Sequence, residues 1–288
     1  MKKLLSILLF ITAVSLMGCA EKGNEPIVLI KTKFGNMKVR LFNDTPAHRD
    51  NFLKLVDEGI IDSTLFHRVI DGFMIQGGDP DSKNAKQGAP LGKGGPGYTI
   101  PAEIDYPKHF HKKGALSAAR QGDRVNPEKR SSGSQFYIVQ GEIIEDDELV
   151  QIENRGKDQQ RRKIFNELLE QYNDSLDALQ RANKQAEVMQ LQQKIMAEVN
   201  VIYEQQTPYE MPSEVKEAYK TIGGTPRLDD SYTVFGQLID DKTLFEKVQS
   251  LFGKKFGFEV LDAIAAQECD GRDRPIEDIQ MRVKVLKR

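Results

Sequence analysis

The sequence predicts a mainly-β protein, a single barrel into which a pair of helices is inserted. Three observations carry that prediction. Strand-like alternation begins at Val28 and recurs over residues 279–285, so strands stand at both ends of the folded body. Between them, up to about Gln140, short apolar runs are separated by glycine-rich turns, the pattern of many short strands. From Ile143 to Gln206 the pattern changes in kind: glycine nearly vanishes, and Glu, Gln, Lys, Arg and Leu dominate.

Each element follows from local chemistry. Val28 and Ile30 alternate with Leu29 and Lys31, Lys33-Phe34-Gly35-Asn36 turns, and Met37, Val39 and Leu41 return at period two. That predicts a hairpin with one buried face. Thr45-Pro46 reads as a helix start, with Thr45 as cap and Pro46 in the first turn; Phe52, Leu55 and Val56 form the apolar stripe and Gly59 stops it. In the middle, Ile164, Leu168, Tyr172, Leu176 and Leu179 step at three or four residues, as do Val188, Leu191, Ile195, Val199 and Ile202. Each series is one face of an amphipathic helix, and the polar stretch 181–185 lets the two fold back as a hairpin. Residues 27–141 and 223–288 therefore read as host and residues 142–222 as guest, an insertion that a surface loop accepts at small entropic cost. A smaller guest helix is expected at 242–256, where Leu244, Phe245, Val248, Leu251 and Phe252 have helical spacing.

The first residues set the expected compartment. Lys2 and Lys3 precede an apolar run, residues 4–16, broken by Ser6, Thr12 and Ser15, and Leu16-Met17-Gly18-Cys19 closes it with small residues before a cysteine. The run is shorter than the ~20 residues of a permanent membrane helix. A basic flank, a short apolar core and a small-residue exit read as a secretory signal. The segment resembles the lipobox of bacterial lipoproteins. That implies removal of residues 1–18, a lipid on Cys19 and a polar tether over residues 19–26, in an exported protein anchored to a membrane leaflet the sequence does not name. The 288 residues are 39% hydrophobic and 29% charged, with a formal net charge of -2. This is ordinary globular composition with no basic footprint for nucleic acid. With Cys19 acylated, Cys269 is the remaining cysteine, and a disulfide within one chain is excluded.

The most informative segment is Phe66-His67-Arg68-Val69-Ile70-Asp71-Gly72-Phe73-Met74-Ile75-Gln76-Gly77-Gly78-Asp79. It reads as two strands joined at Asp71-Gly72, a favoured hairpin dipeptide. Arg68 is a permanent cation in an apolar strand, and Gln76 interrupts the next. On residue chemistry alone a half-wet sheet face is the better explanation of both. The segment resembles the signature of the cyclophilin-type peptidyl-prolyl cis-trans isomerases. The agreement continues in order through Gly133-Ser134-Gln135-Phe136-Tyr137-Ile138, Tyr232-Thr233-Val234-Phe235-Gly236 and the Gly271 to Pro275 stretch before the last strand. It spans residues 27–139 and 223–288.

The resemblance implies an eight-stranded antiparallel β-barrel capped by two helices, a groove for proline-containing polypeptides on its outer face, and isomerisation of X-Pro bonds with no cofactor and no metal. Arg68 matches the family's hydrogen-bond donor to the prolyl nitrogen. Phe73 and Met74 match pocket residues for the proline ring. Gln76 and Gln135 match residues that hydrogen-bond the substrate backbone and steady the arginine, and Leu228 matches a further apolar wall. Ala119, Arg120, Gln121, Tyr137 and Tyr232 complete the expected substrate surface.

Some positions depart from the family pattern. Arg120 stands where many members have asparagine, at a position used chiefly through its backbone. Tyr137 replaces a phenylalanine and brings a hydroxyl that needs a partner. Tyr232 stands where histidine is frequent, and Arg227 replaces a tryptophan important for cyclosporin binding. His109 and His111 alternate without an accompanying carboxylate or cysteine pattern, which predicts a loop or strand edge rather than a metal site. Two functional readings follow: an active isomerase for proteins that fold outside the cytoplasm, or a module that holds proline-containing clients, in the groove or on the inserted helices, with little catalysis.

Overall fold

The computed structural model describes residues 25–288; the expected signal segment 1–18, Cys19 and the tether as far as residue 24 lie outside the described residues. The described residues divide into two compact units: a barrel, made of residues 25–141 with Leu228–Arg288, and a helical unit, Glu142–Arg227.

The strands in chain order are β1 (Ile27–Thr32), β2 (Gly35–Leu41), β3 (Arg68–Ile70), β4 (Met74–Gly77), β5 (Thr99–Ile100), β6 (Ala115–Ala118), β7 (Ser131–Ser132), β8 (Phe136–Val139), β9 (Val234–Ile239), β10 (Lys255–Phe256) and β11 (Arg282–Lys287). Eight of them form one curled antiparallel sheet in the order β11-β1-β2-β9-β6-β8-β4-β3. The predicted first hairpin pairs Val28 with Val39 and Ile30 with Met37. Irregular backbone ties the two edges of the curl: Phe66 donates its N–H to the Ile279 carbonyl at 2.9 Å, and Met281 donates to Thr64 at 2.9 Å. β5 and β7 pair separately.

One pair departs from the antiparallel expectation: β10 lies parallel to β2, with Lys255 opposite Gly35. Gly35 makes this possible. Its φ is +138°, and a Cβ there would sit 2.3 Å from the Lys255 carbonyl oxygen.

Two helices complete the core, α1 (Pro46–Asp57) and α6 (Phe258–Ala265). Phe52, Leu55 and Val56 from the first, with Val260, Leu261 and Ile264 from the second, share one apolar cluster with the period-two residues Val28, Ile30, Met37, Val39 and Leu41. The start of α1 differs from expectation. The Thr45 hydroxyl reaches back to the Phe42 carbonyl and does not cap the helix. The carboxylate of Glu103 takes the first-turn N–H groups of Ala47 and His48 instead, at 3.0 and 2.9 Å, where an anion also meets the positive end of the helix dipole.

The helical unit holds α2 (Asp146–Arg181), α3 (Gln185–Gln205) and α4 (Ser213–Thr221). The predicted stripes meet: Ile164, Leu168 and Leu176 cluster with Val188, Ile195, Val199 and Tyr203. The unit is more than the expected hairpin, because residues 206–212 return along α2 to a third helix. Met211 donates its N–H to Glu153 at 2.8 Å and Tyr209 donates to Gln160 at 3.0 Å. Gly156 permits this approach, since a Cβ there would lie 2.2 Å from the Tyr209 ring. The ends of the unit are joined, as Glu142 and Gly224 exchange backbone hydrogen bonds.

The expected second guest forms a short helix, α5 (Leu244–Ser250), with a Thr243–Glu246 capping box. Its apolar residues face solvent.

Candidate active site

The β3–β4 hairpin and β8 build the site by period two. Arg68 lies opposite Gln76 and Ile70 opposite Met74; on the next strand Gln76 faces Tyr137 and Met74 faces Val139. Side chains alternate across a sheet, so these residues share the outer face. The intervening Val69, Ile75 and Ile138 point inward and join the barrel core. A second apolar cluster therefore forms outside the barrel from Met74, Ala115, Tyr137, Val139 and Val234, with Phe73, Ala119, Leu228 and Tyr232 packed against it.

That cluster floors a pocket of about 110 Å³ lined by Arg68, Phe73, Met74, Gln76, Ala119, Arg120, Tyr137, Leu228 and Tyr232. Gln121 and Gln135 lie outside it. Both line an adjoining groove of about 920 Å³, which shares Gln76, Ala119 and Arg120 with the pocket and runs on past residues 92–95 to Tyr98 and Asn126. The predicted residues thus come together in two connected depressions.

The polar groups are held differently from expectation. Arg68 donates its Nε–H to Asp273 at 3.2 Å, which fixes the plane of the guanidinium and leaves its terminal N–H groups at the pocket edge. Gln76 and Gln135 bond to each other instead of steadying Arg68: Gln76 Nε2 donates to Gln135 Oε1 at 3.1 Å, and Gln135 Nε2 donates to the Gly94 carbonyl at 2.8 Å. Arg120 does not reach into the pocket as a free cation. Its guanidinium lies over the Tyr232 ring at 4.4 Å, with Nε donating to the Ser231 carbonyl and Nη1 paired with Asp123 at 2.6 Å.

The hydroxyl of Tyr137 finds its partner in His111 Nε2, 3.0 Å away. Asp229 accepts both the backbone N–H and the Nδ1–H of His111, each at 2.9 Å. The carboxylate holds the imidazole proton on Nδ1 and leaves Nε2 to accept from the tyrosine. Burial pushes the Tyr137 phenol well above its usual range, so it stays a neutral donor. His109 takes another course, stacked on Phe42 at 4.0 Å and bonded to Asp44 at 2.7 Å. Asp44, Asp105 and His109 are the one grouping among the described residues that could hold a metal, and the Lys108 ammonium already pairs with both carboxylates.

Residues 27–201, more than half of the chain, match the family model described as cyclophilin type peptidyl-prolyl cis-trans isomerase/CLD. The chain belongs to this family. A Streptococcus pyogenes protein provisionally named as a bifunctional phosphatase/peptidyl-prolyl cis-trans isomerase is 30% identical over 262 residues, 90% of this cyclophilin-type chain, which spans 38% of that protein's length. A Staphylococcus saprophyticus protein provisionally named as a peptidyl-prolyl cis-trans isomerase is 28% identical over 260 residues, 89% of each chain. The crystal structure of a Cryptosporidium parvum cyclophilin type peptidyl-prolyl cis-trans isomerase is similar in fold, with a TM-score of 0.50 at 21% identity, covering 92% of this chain and 99% of that one.

Three residues of this cyclophilin site escaped sequence reasoning. Asp273, His111 and Asp229 act on Arg68 and Tyr137 from far along the chain. The unmet hydroxyl of Tyr137 was the signal that could have found His111; nothing in the Gly271 to Pro275 stretch pointed to Asp273 as the partner of Arg68.

Proposed function

We propose that the groove isomerises X-Pro bonds of exported proteins, with the molecule held at a membrane by a lipid on Cys19. The observation that carries the chemistry is a guanidinium fixed by Asp273 at the edge of a small apolar pocket. An X-Pro bond prefers trans only slightly, but resonance imposes a barrier of roughly 18–20 kcal/mol and makes uncatalysed exchange slow. No bond is made or broken, so the reaction needs no nucleophile. At the twisted transition state the prolyl nitrogen loses conjugation and gains a lone pair. An N–H of Arg68 aimed there stabilises the twisted state more than either planar one, which is the differential binding catalysis requires. Phe73, Met74 and Leu228 grip the ring, and Gln76 presents a carbonyl to a substrate N–H.

Arg68→Ala tests the reading in a peptide assay that follows a single X-Pro bond. Turnover is expected to fall by about 10- to 1,000-fold, the range of one preorganised donor, with the unfolding midpoint nearly unchanged. Arg68→Lys restores little, because a point charge lacks the planar fork. Full turnover by Arg68→Ala refutes the mechanism. Export and anchoring are supported by the expected signal segment and tested separately: the N-terminal peptide isolated from producing cells should begin at Cys19 and carry acyl mass.

A further inference from the structure

We propose that α5 and the turn after it are a second membrane contact, seated in the headgroup–acyl boundary of a bilayer that carries anionic lipid. The observation is an exposed apolar group of a kind a soluble surface avoids: Leu244 is 80% exposed, Phe245 70%, Val248 46%, Leu251 84% and Phe252 82%. The helix is no fraying end. Thr243 and Glu246 cap it reciprocally, and Glu246 Oε1 is pinned to Lys38 on β2 at 2.7 Å. The group is thus held out on a firm base.

Charge and tether point to a lipid surface as its occupant. Lys247, Lys254 and Lys255 border the apolar group and form no ion pair among the described residues, while the acidic Glu246 is consumed by Lys38 and the cap. Aromatic and leucine side chains edged by lysine are what an interfacial segment presents to anionic lipid. The tether brings the bilayer within reach. Glu25, the first described residue, pairs with Arg40 at 3.7 Å, and Arg40 and Lys38 lie two residues apart on one face of β2, about 7 Å along the strand. Chain exit and helix base therefore share one patch of the barrel. Cys19 lies six residues before Glu25, a reach of at most ~22 Å. A contact that is weak but measurable on its own becomes densely populated when a lipid supplies the local concentration. The site strands β8, β4 and β3 lie farther along the sheet, past β9 and β6, and stay clear of this patch.

The tether step rests on the lipid-anchor reading, and the test separates the two. The chain contains no tryptophan, so Phe252→Trp in the full chain places one indole at the tip. With vesicles of phosphatidylethanolamine and phosphatidylglycerol carrying brominated acyl chains, its emission should shift to the blue and lose at least half its intensity relative to unbrominated vesicles. The same measurement on Val125→Trp, exposed elsewhere on the barrel, should show neither change. Leu251→Glu with Phe252→Glu should lower vesicle retention about tenfold or more for the Cys19→Ser chain, with peptide turnover unchanged. Quenching of the indole while mass analysis shows an unmodified Cys19 sustains the membrane contact and removes the anchor. An acylated Cys19 with an unquenched indole overturns the membrane contact, and so does a blue shift that grows with protein concentration in vesicle-free buffer, which assigns the face to a second copy.

Discussion

The barrel and the helical unit are built by opposite means. The barrel pairs residues from the two ends of the described chain, Ile27 with Lys287 and Val28 with Val285. Its core is complete only when strands far apart in sequence have met. The helical unit packs two neighbouring helices through stripes whose residues, Ile164 to Tyr203, all fall within one short stretch of chain, and it closes itself with the Glu142–Gly224 exchange. All residues lining the candidate pocket come from the barrel. The difference teaches that an inserted unit with local contacts and joined ends can be carried by a non-local fold without lining its candidate site.

The strongest way to break that comparison is to destroy one unit alone. Ile195 is fully buried in the helical cluster, and Ile195→Asp places a charge there at a cost above ~4 kcal/mol, enough to melt a unit of this size. Hydrogen exchange should then accelerate throughout α2, α3 and α4 while β1, β2 and β9 keep their protection. Loss of protection in both units would show one cooperative fold.

A smaller effect sharpens the view of the site. Tyr137→Phe removes the hydroxyl and leaves His111 Nε2 buried without its donor, costing roughly 1–3 kcal/mol of stability. The aromatic face remains, so peptide turnover should stay within about tenfold of the parent. A stability unchanged by Tyr137→Phe would mean that the Asp229–His111–Tyr137 chain orders nothing.

The smallest expected effect is a pH dependence confined to the barrel. Burial is the largest influence on His48 and His67 and holds both imidazoles below their usual value of 6.5, the Glu103 and Asp79 carboxylates notwithstanding. The unfolded chain therefore binds protons that the folded chain refuses. Stability from these groups is complete above about pH 6.5 and falls as the pH drops through that value. The unfolding midpoint of the barrel should be a few degrees lower at pH 5.5 than at pH 7.5, and the midpoint of the helical unit, which contains no histidine, should not follow it. A midpoint that rises on acidification contradicts the assignment.

What was legible in the sequence was local. Alternation at Val28–Leu41, the Asp71-Gly72 turn and the stripes of α2 and α3 are written within a few residues of themselves, and the family motifs fixed the order of the barrel blocks. The rest depended on partners that no local pattern encodes. Glu103 caps a helix 55 residues away, and Asp273 holds Arg68 across 205 residues. The helix α4 is nine residues long and follows Pro208 and Pro212, too short and too interrupted to show a period. The stripe of α5 shows the limit most plainly. Spacing defined its apolar face as clearly as that of α3, yet α3 has a partner helix and α5 has none among the described residues, because periodicity says which residues share a face and not what covers it.

The central claim is that the chemistry resides in the barrel and turns on Arg68. One measurement tests it most directly: kcat/KM on the same X-Pro peptide for Arg68→Ala and for a chain in which a short Gly/Ser linker replaces residues 143–223. The deletion should stay within about tenfold of the parent, each 1.36 kcal/mol of transition-state binding being worth tenfold, while Arg68→Ala falls by one to three orders of magnitude. A folded deletion that loses as much as Arg68→Ala, or an Arg68→Ala chain that keeps full turnover, would contradict it.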